Sequence, residues 1–550
     1  MNTFAKSQRN RPDELVFLPL GGAGEIGMNL TLYGYAGEWL MVDCGVTFAD
    51  DSMAGLDVIM PDPGFIAERK DRLAGLVVTH GHEDHIGAIP YLWKRFRCPV
   101  YATPFARALL YEKLVEAGLQ NEIPITEVPL SGKFTVGPFE IELITLTHSI
   151  PEPNAVVIRT PLGTILHTGD WKLDPEPLVG AISDEAALRG LGDEGVLAMV
   201  CDSTNALRPG HSGSEAAVRA SLVDLVGRYD RRVAVGCFAS NVARLESIAA
   251  AAVANGRHVA LVGRSLWRIY KAARDTGYLQ STPPFLSEDE VGAVPRDRIL
   301  LVCTGSQGEP RAALARIAHD SHPNVHLADG DTVIFSSRVI PGNELAIAEI
   351  QNKLAARGIG LITAEDHRVH VSGHPCRDEL AQMYRWIRPK LALPVHGEMR
   401  HQVAHAKLAR AMQVPQAIVP ENGQMFRLAP GRPELIDEVP AGRVHLDGKI
   451  LVGEGAGLTK DRRAMAFAGL LVVSLVVDEK GRIAAAPNIL AEGVPEPVAG
   501  AVRKAVENTI AGNKRFEIDD LAENVRRAAR RAALDSWGKK PITRVLVSEL

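Results

Sequence analysis

The run VVTHGHEDHIGAIP, residues 77–90, decides how the chain is read. His80, His82, Asp84 and His85 crowd into six positions there, directly after the apolar LAGLVV. A strand that ends in H-x-H-x-D-H delivers its donors to the mouth of a sheet, where a loop can wrap an ion. Imidazole and carboxylate are donors that zinc accepts, at about 2.0–2.2 Å. A lone histidine is ordinarily a surface or hydrogen-bonded residue, but four such donors so close together make that reading poor. His80 and His82, two apart on extended backbone, project together. Asp84 and His85 follow the turn and can face a second ion.

Six residues cannot complete two sites, so further donors are expected at other strand ends. ITLTHSIPEP supplies His148, and LHTGDWKLD supplies Asp170 with His167 close by. LALPVHGEM supplies His396, VHVSGHP supplies His370 and His374, and VDCG supplies Asp43. Each alone is explained as well by a structural role. Together they are strand-terminal His and Asp residues, where α/β sites are built.

The 550-residue chain is too long for one ordinary core, so several domains are expected. Its formal net charge of -5 argues against indiscriminate coating of nucleic acid but leaves room for a local basic channel. The six cysteines are scattered without a C-x-x-C pair, unlike a disulfide framework or a cysteine zinc site. The polar MNTFAKSQRNRPDE lacks the apolar core of a signal peptide. The apolar AMAFAGLLVVSLVV (464–477) falls short of the roughly 20 residues that span a bilayer. A cytoplasmic protein without a membrane anchor is expected.

Gly22, Gly24 and Gly27 satisfy G-x-G-x-x-G, a dinucleotide fingerprint only where a helix follows. A strand-like run, Asn29 to Tyr35, follows instead, so a tight turn between strands is the better reading. Strands are predicted at 73–80, 99–103, 139–148, 154–160 and 163–170, with helices at 105–118 and before Arg97. From Ser214 the rhythm changes to strands separated by helices, which predicts a parallel sheet in a lobe of its own. Beyond Asp461, LLVVSLVVDEKGRIAA reads as a hairpin, followed by helices in PVAGAVRKAVENTIAG and DDLAENVRRAARRAAL and a last strand in PITRVLVSEL. The fold class is therefore α/β with a small α+β domain at the end.

HGHEDH, a downstream TH and then HTGD resemble the metallo-β-lactamase superfamily. The lobe after CDST (201–204), SGH at 372–374 and PVHGE at 394–398 resemble its β-CASP branch, whose members are nucleases. GGAGEIGMN (21–29), VDCG, the motif order and the small last domain are most similar to the ribonuclease J family. The resemblance implies an αββα metallo-β-lactamase domain in two parts, 1–213 and 376–448, with a β-CASP domain at 214–375 between them. A linker at 449–460 and a C-terminal oligomerisation domain at 461–550 would follow.

The resemblance also implies two zinc ions per subunit. His80, His82 and His148 would hold one, Asp84, His85 and His396 the other, and Asp170 would bridge them. Asp43 would orient a ligand histidine. His370, Val371, Ser372, Gly373 and His374 would hold the scissile phosphate, with His374 either hydrogen-bonding it or protonating the leaving oxygen. A hydroxide held between the ions would attack phosphorus, leaving a 5′-phosphate. The implied activity is 5′-to-3′ exonuclease favouring 5′-monophosphate ends, with endonuclease activity, on single-stranded RNA in maturation and decay. The resemblance implies a dimer or tetramer.

Arg244, Arg264, Arg268, Lys271, Arg311 and Arg338 are candidates for an RNA channel, though solvation explains most of them individually. CTGSQGEP (303–310) offers amides to phosphate. FADDS (48–52) and Asp447 offer oxygens to a further calcium or manganese. RRAARRAAL reads first as a solvated helix face. Three rival readings remain: a small-ester, thioester or lactam hydrolase on the same scaffold, a relative acting on DNA or tRNA ends, and a scaffold with a decayed site. The lobe and the SGH motif count against the first, and the full donor set against the last.

Overall fold

Period-two burial shapes the centre of the fold. In the strand Phe139–Thr145, Phe139, Ile141 and Leu143 point one way and Ile144 the other. The computed structural model, which describes residues 13–49, 53, 55–56, 58–511 and 517–550, shows two sheets face to face. One has eight strands, in the order Glu434–Glu438, Gln424–Ala429, Leu15–Gly21, Leu30–Tyr35, Glu38–Val42, Leu73–Val77, Val100–Ala102 and Ile125–Glu127. The other has seven, in the order Lys133–Val136, Phe139–Thr145, Asn154–Thr160, Gly163–His167, Ala198–Asp202, Leu391–Val395 and Gln416–Ala417.

Their inner faces share one core. Phe17, Tyr33, Leu40 and Val77 of the first sheet meet Phe139, Ile158, Val200 and Leu393 of the second. Each fully buried Leu, Val or Phe there contributes about 1.5–3 kcal/mol. Ile144, Val157 and Met199, on the outer face of the second sheet, pack under the helices Glu185–Glu194 and Arg377–Ile387. This is the αββα sandwich with helices outside.

The strands that matter run in one direction. Glu38–Val42 is parallel to Leu73–Val77, and Gly163–His167, Ala198–Asp202 and Leu391–Val395 are mutually parallel. Phe139–Thr145 reaches the same direction through two antiparallel pairings. Their C-terminal ends therefore open on one edge, which receives Asp43, His80, His148, Asp170, Asp202 and His396.

The inserted lobe is a five-stranded sheet in the order His258–Val262, Ile299–Cys303, Val233–Gly236, Thr332–Phe335 and Gly360–Ile362, every pair parallel. Helices such as Val242–Ala254 and Glu344–Ala356 cover it, as the spacing predicts. Two compact units result: one holds Ile59–Val444 and the residues up to Phe48, the other Ala49–Val58 and His445–Leu550.

In the second unit, Leu470–Val477 lies between Asn488–Glu492 and Ile542–Glu549, with the helices Glu496–Ile510 and Ile518–Trp537 on one face. The expected hairpin departs in detail. After the turn only an isolated bridge, Val477 to Ile483, forms, and ladder pairing resumes at Asn488. The small AAAP run between offers little to pack on a pleated face. Leu521, Val525, Ala529 and Ala533 turn inward, while of the arginines of RRAARRAAL Arg527 and Arg531 are exposed and Arg526 and Arg530 half-buried, and Arg526 and Arg527 pair with Glu523. The apolar run 464–477 is split between a helix ending at Ala468 and a strand starting at Leu470. Among the described residues no helix is long and apolar enough to cross a membrane.

Candidate metal centre

The HGHEDH loop leaves the strand Leu73–Val77 and closes as a single helical turn, Glu83–Ile86. Gly45 lets it close: a Cβ there would sit 1.6 Å from the Asp84 carbonyl oxygen. His80 Nε2 and His148 Nε2 each approach His82 Nδ1, at 3.0 and 3.1 Å. Both also lie near Asp170 Oδ2, at 4.0 and 3.9 Å. On the other side His85 Nε2 and His396 Nε2 lie 3.2 and 3.4 Å from the same oxygen. They are 3.6 and 3.7 Å from Asp84 Oδ2. The seven expected ligands thus form two clusters that share Asp170, each with donor atoms within 4.8 Å of one another.

These clusters fit a metal on structural grounds. Asp170 Oδ1 and His396 Nε2 are buried and lack a hydrogen-bond partner. A buried polar atom left so costs about 1–3 kcal/mol, which a cation would relieve. Burial, reinforced by neighbouring histidines, pushes His80 and His148 well below the usual histidine range. Burial brings His82 down to about 4. All three are thereby biased towards the neutral imidazole, the form that binds metal. Burial works against charge on His85, yet Asp170, Asp84 and Asp43 lift its proton affinity well above the ordinary value. A cation in the same place would feel the same three carboxylates.

Supporting contacts set the rings. Asp43 accepts from Thr79 N and Thr79 Oγ1, both at 2.8 Å, and from His85 Nδ1 at 2.7 Å. His148 Nδ1 donates to the Gly373 carbonyl, and a Cβ at Gly373 would meet the His148 ring at 2.7 Å. His167 stands apart from both clusters, bonded to the Tyr33 hydroxyl at 2.8 Å.

The SGH segment lies beside the clusters. His374 Nδ1 is 2.8 Å from Asp202 Oδ2 and 3.8 Å from Asp170 Oδ2. Burial opposes charge on His374, but Asp202, then Asp170 and Asp84, raise it to about 9. Ser372 Oγ accepts from Asn205 Nδ2 at 2.8 Å and from His374 N at 3.2 Å. His370 is half-buried, Val371 is buried behind it, and His370 Nδ1 is without a partner, near Arg244, Lys172, Arg338 and Arg208.

Sequence reading passed over Asp202, Thr79, Asn205 and Asn29. Asp202 ends a buried strand inside the quoted CDST, a position like those of the other acidic residues, and was open to recognition. One of the basic candidates, Arg244, needs correction. Arg244 is fully buried, paired with Glu215 and donating to Ser336 and to the Val369 carbonyl, so it braces the SGH segment from behind. Arg268 and Lys271 pair with Glu116 and Glu112, Arg338 donates to Asn205 Oδ1 at 2.8 Å, and Arg264 and Arg311 are exposed. In CTGSQGEP the Gln307 and Gly308 amides bond within the loop, to Glu309 and Gly305. Of the further cation site, Asp50, Asp51 and Ser52 lie outside the described residues, and Asp447 pairs with Arg462 at 2.7 Å.

Comparison with known proteins matches this architecture part by part. Residues 24–236 match the metallo-beta-lactamase superfamily, and 230–354 match the ribonuclease J beta-CASP domain. Residues 362–420 match a Zn-dependent metallo-hydrolase RNA specificity domain, and 457–550 the ribonuclease J C-terminal domain. Ribonuclease J of Sinorhizobium meliloti is 48% identical, with 98% of each chain covered. The chain belongs to the ribonuclease J family. Ribonuclease J of Thermus thermophilus is 36% identical over 98% of this chain and 92% of that one. Ribonuclease J2 of Bacillus subtilis is 35% identical over 88% of each. A crystal structure of an Enterococcus faecalis protein of unknown function shares the fold, with a TM-score of 0.51 at 16% identity over 75% of this chain and all of that one. Family membership accounts for the inserted lobe, the two-part sandwich and the separate last unit together.

Proposed function

We propose that the chain is a zinc-dependent ribonuclease that cuts single-stranded RNA as a 5′-to-3′ exonuclease favouring 5′-monophosphate ends and as an endonuclease. The observation that carries this reading is the meeting of the two donor clusters at Asp170 with His374 beside them. His80, His82, His148 and Asp170 would hold one ion, and Asp84, His85, His396 and Asp170 the other. Bound there, the ions supply a water that ionises near neutral pH and positive charge against the phosphate oxygens. The family, and the match of 362–420 to an RNA specificity domain, favour RNA as substrate. The six cysteines, all buried and free, accord with work in a reducing cytoplasm.

The chain's own residues do the remaining work. Asp202 holds the Nδ1 proton of His374 and leaves Nε2 for substrate. Protonated His374 can then neutralise a phosphate oxygen or give its proton to the departing 3′ oxygen as water adds to phosphorus. Either role needs the proton, so activity present below the His374 pKa is lost as pH rises through it. Asp202→Asn removes the main charge that raises this value. The alkaline limb of kcat against pH is expected to move down by about one unit or more, and an unmoved limb would contradict the pairing.

Self-association is proposed for the C-terminal unit. Its sheet buries Leu471, Val473, Leu475 and Val477 under helices, while Leu490 and Leu546 on the three-stranded sheet are 52% and 57% exposed. Light scattering of the full chain is expected to give a dimer or tetramer, and a smaller species for the Leu490→Glu, Leu546→Glu double variant.

The activity test is digestion of labelled RNA with 5′-monophosphate, triphosphate or hydroxyl ends, beside single-stranded DNA and nitrocefin. Release of 5′ nucleotides fastest from monophosphorylated RNA is expected. DNA or nitrocefin turned over in preference to RNA would overturn the reading.

A further inference from the structure

The Gly-rich stretch GGAGEIGMN forms a turn between Leu15–Gly21 and Leu30–Tyr35, yet its last residue reaches into one half of the metal centre. The Asn29 carboxamide is buried there. Its Nδ2 donates to the Asp84 backbone carbonyl at 3.0 Å. A carbonyl oxygen only accepts, so this bond fixes which end of the amide is nitrogen. It leaves Asn29 Oδ1 facing His396 Nδ1, at 3.0 Å. An amide oxygen also only accepts, so Nδ1 of His396 carries a hydrogen, and in the neutral ring Nε2 carries the lone pair. That Nε2 is the buried, unpartnered atom near Asp84 and Asp170.

Asn29 Nδ2 also lies 3.2 Å from His85 Nε2, whose own Nδ1 is held by Asp43. Asn29 therefore touches Asp84, His85 and His396. Among the described residues it makes no hydrogen bond to His80, His82 or His148. The backbone is built around this amide. The Gly22 carbonyl accepts from His396 N at 2.6 Å, and the pair Ala23–Gly24 runs beside Gly397–Glu398. A Cβ at Gly22, where φ is +86°, would stand 2.3 Å from Asn29 Oδ1. His396 itself sits at φ +49°, a left-handed conformation that its surroundings must hold in place.

We propose that Asn29 is a positioning residue for one ion only. It fixes the His396 tautomer and ties that ring to the Asp84 backbone, so it strengthens the site of Asp84, His85 and His396 and leaves the other untouched. The inference rests on the two-ion reading above. Outer partners that orient a ligand histidine typically control metal affinity by about 10- to 100-fold.

The test uses the full chain, stripped with chelator and dialysed against graded cobalt or zinc, with bound metal counted per chain and the cobalt absorption recorded. Asn29→Ala is expected to keep one ion at wild-type affinity and bind the other about 10- to 100-fold more weakly. Asn29→Asp keeps an oxygen for His396 Nδ1 but loses the donor to the Asp84 carbonyl, so it is expected to recover the second ion only in part. Two ions bound by Asn29→Ala with unchanged affinity would overturn the proposal. So would equal weakening of both ions, since that marks a general loosening of the loop. Fewer than two ions on the wild-type chain would instead overturn the two-ion reading itself.

Discussion

His82→Ala and Asp84→Ala are each expected to lower RNA cleavage by at least about a thousandfold while the chain stays folded. A bound ion supplies several kcal/mol of charge stabilisation to the transition state, and about 1.4 kcal/mol is a factor of ten. The two residues belong to different clusters, so either loss removes half of the proposed clamp. Neither supports the fold. Asp84 is 29% exposed in its side chain, His82 is half-buried, and the shared core of the two sheets contains neither. Circular dichroism should therefore match the wild type, while metal analysis should show a lost ion. Full cleavage by either variant, freed of contaminating nuclease, would rule out the site.

His374→Ala is expected to reduce kcat by about a hundred- to ten-thousandfold, the range for a positioned proton donor, with both ions retained. The distinction is a sharp one. His374 lies within 4.8 Å of Asp170, Asp202 and His396, close enough to be taken for a ligand. Its Nδ1, however, is engaged by Asp202 at 2.8 Å. Metal counted per chain decides the matter: unchanged metal with lost turnover assigns His374 to the substrate, and a missing ion reassigns it to the metal.

Much of this centre was legible in the sequence because its donors stand at strand ends, and strand ends announce themselves by apolar runs that stop. His148, Asp170 and His396 follow LITLT, ILHTG and LALPV in this way. What stayed hidden depended on contacts across the fold. Asn29 read only as the junction of a glycine turn and a strand, because its partner His396 lies 367 residues away. Arg244 looked like any candidate for an RNA channel. Only the fold shows it enclosed with Glu215, where an unpaired guanidinium would be costly. The strand partner of Leu470–Val477 was displaced for a related reason: the turn sequence is local, but the register is set by what the face packs against.

The central claim is that two ions held by these seven residues cut RNA. It is tested most directly by counting metal and cleavage together. Protein stripped by chelator is expected to be folded and inactive on 5′-monophosphorylated RNA, and to regain activity as zinc is restored to two ions per chain. Undiminished cleavage by metal-free protein, or full activity with no ion bound at Asp170, would contradict it.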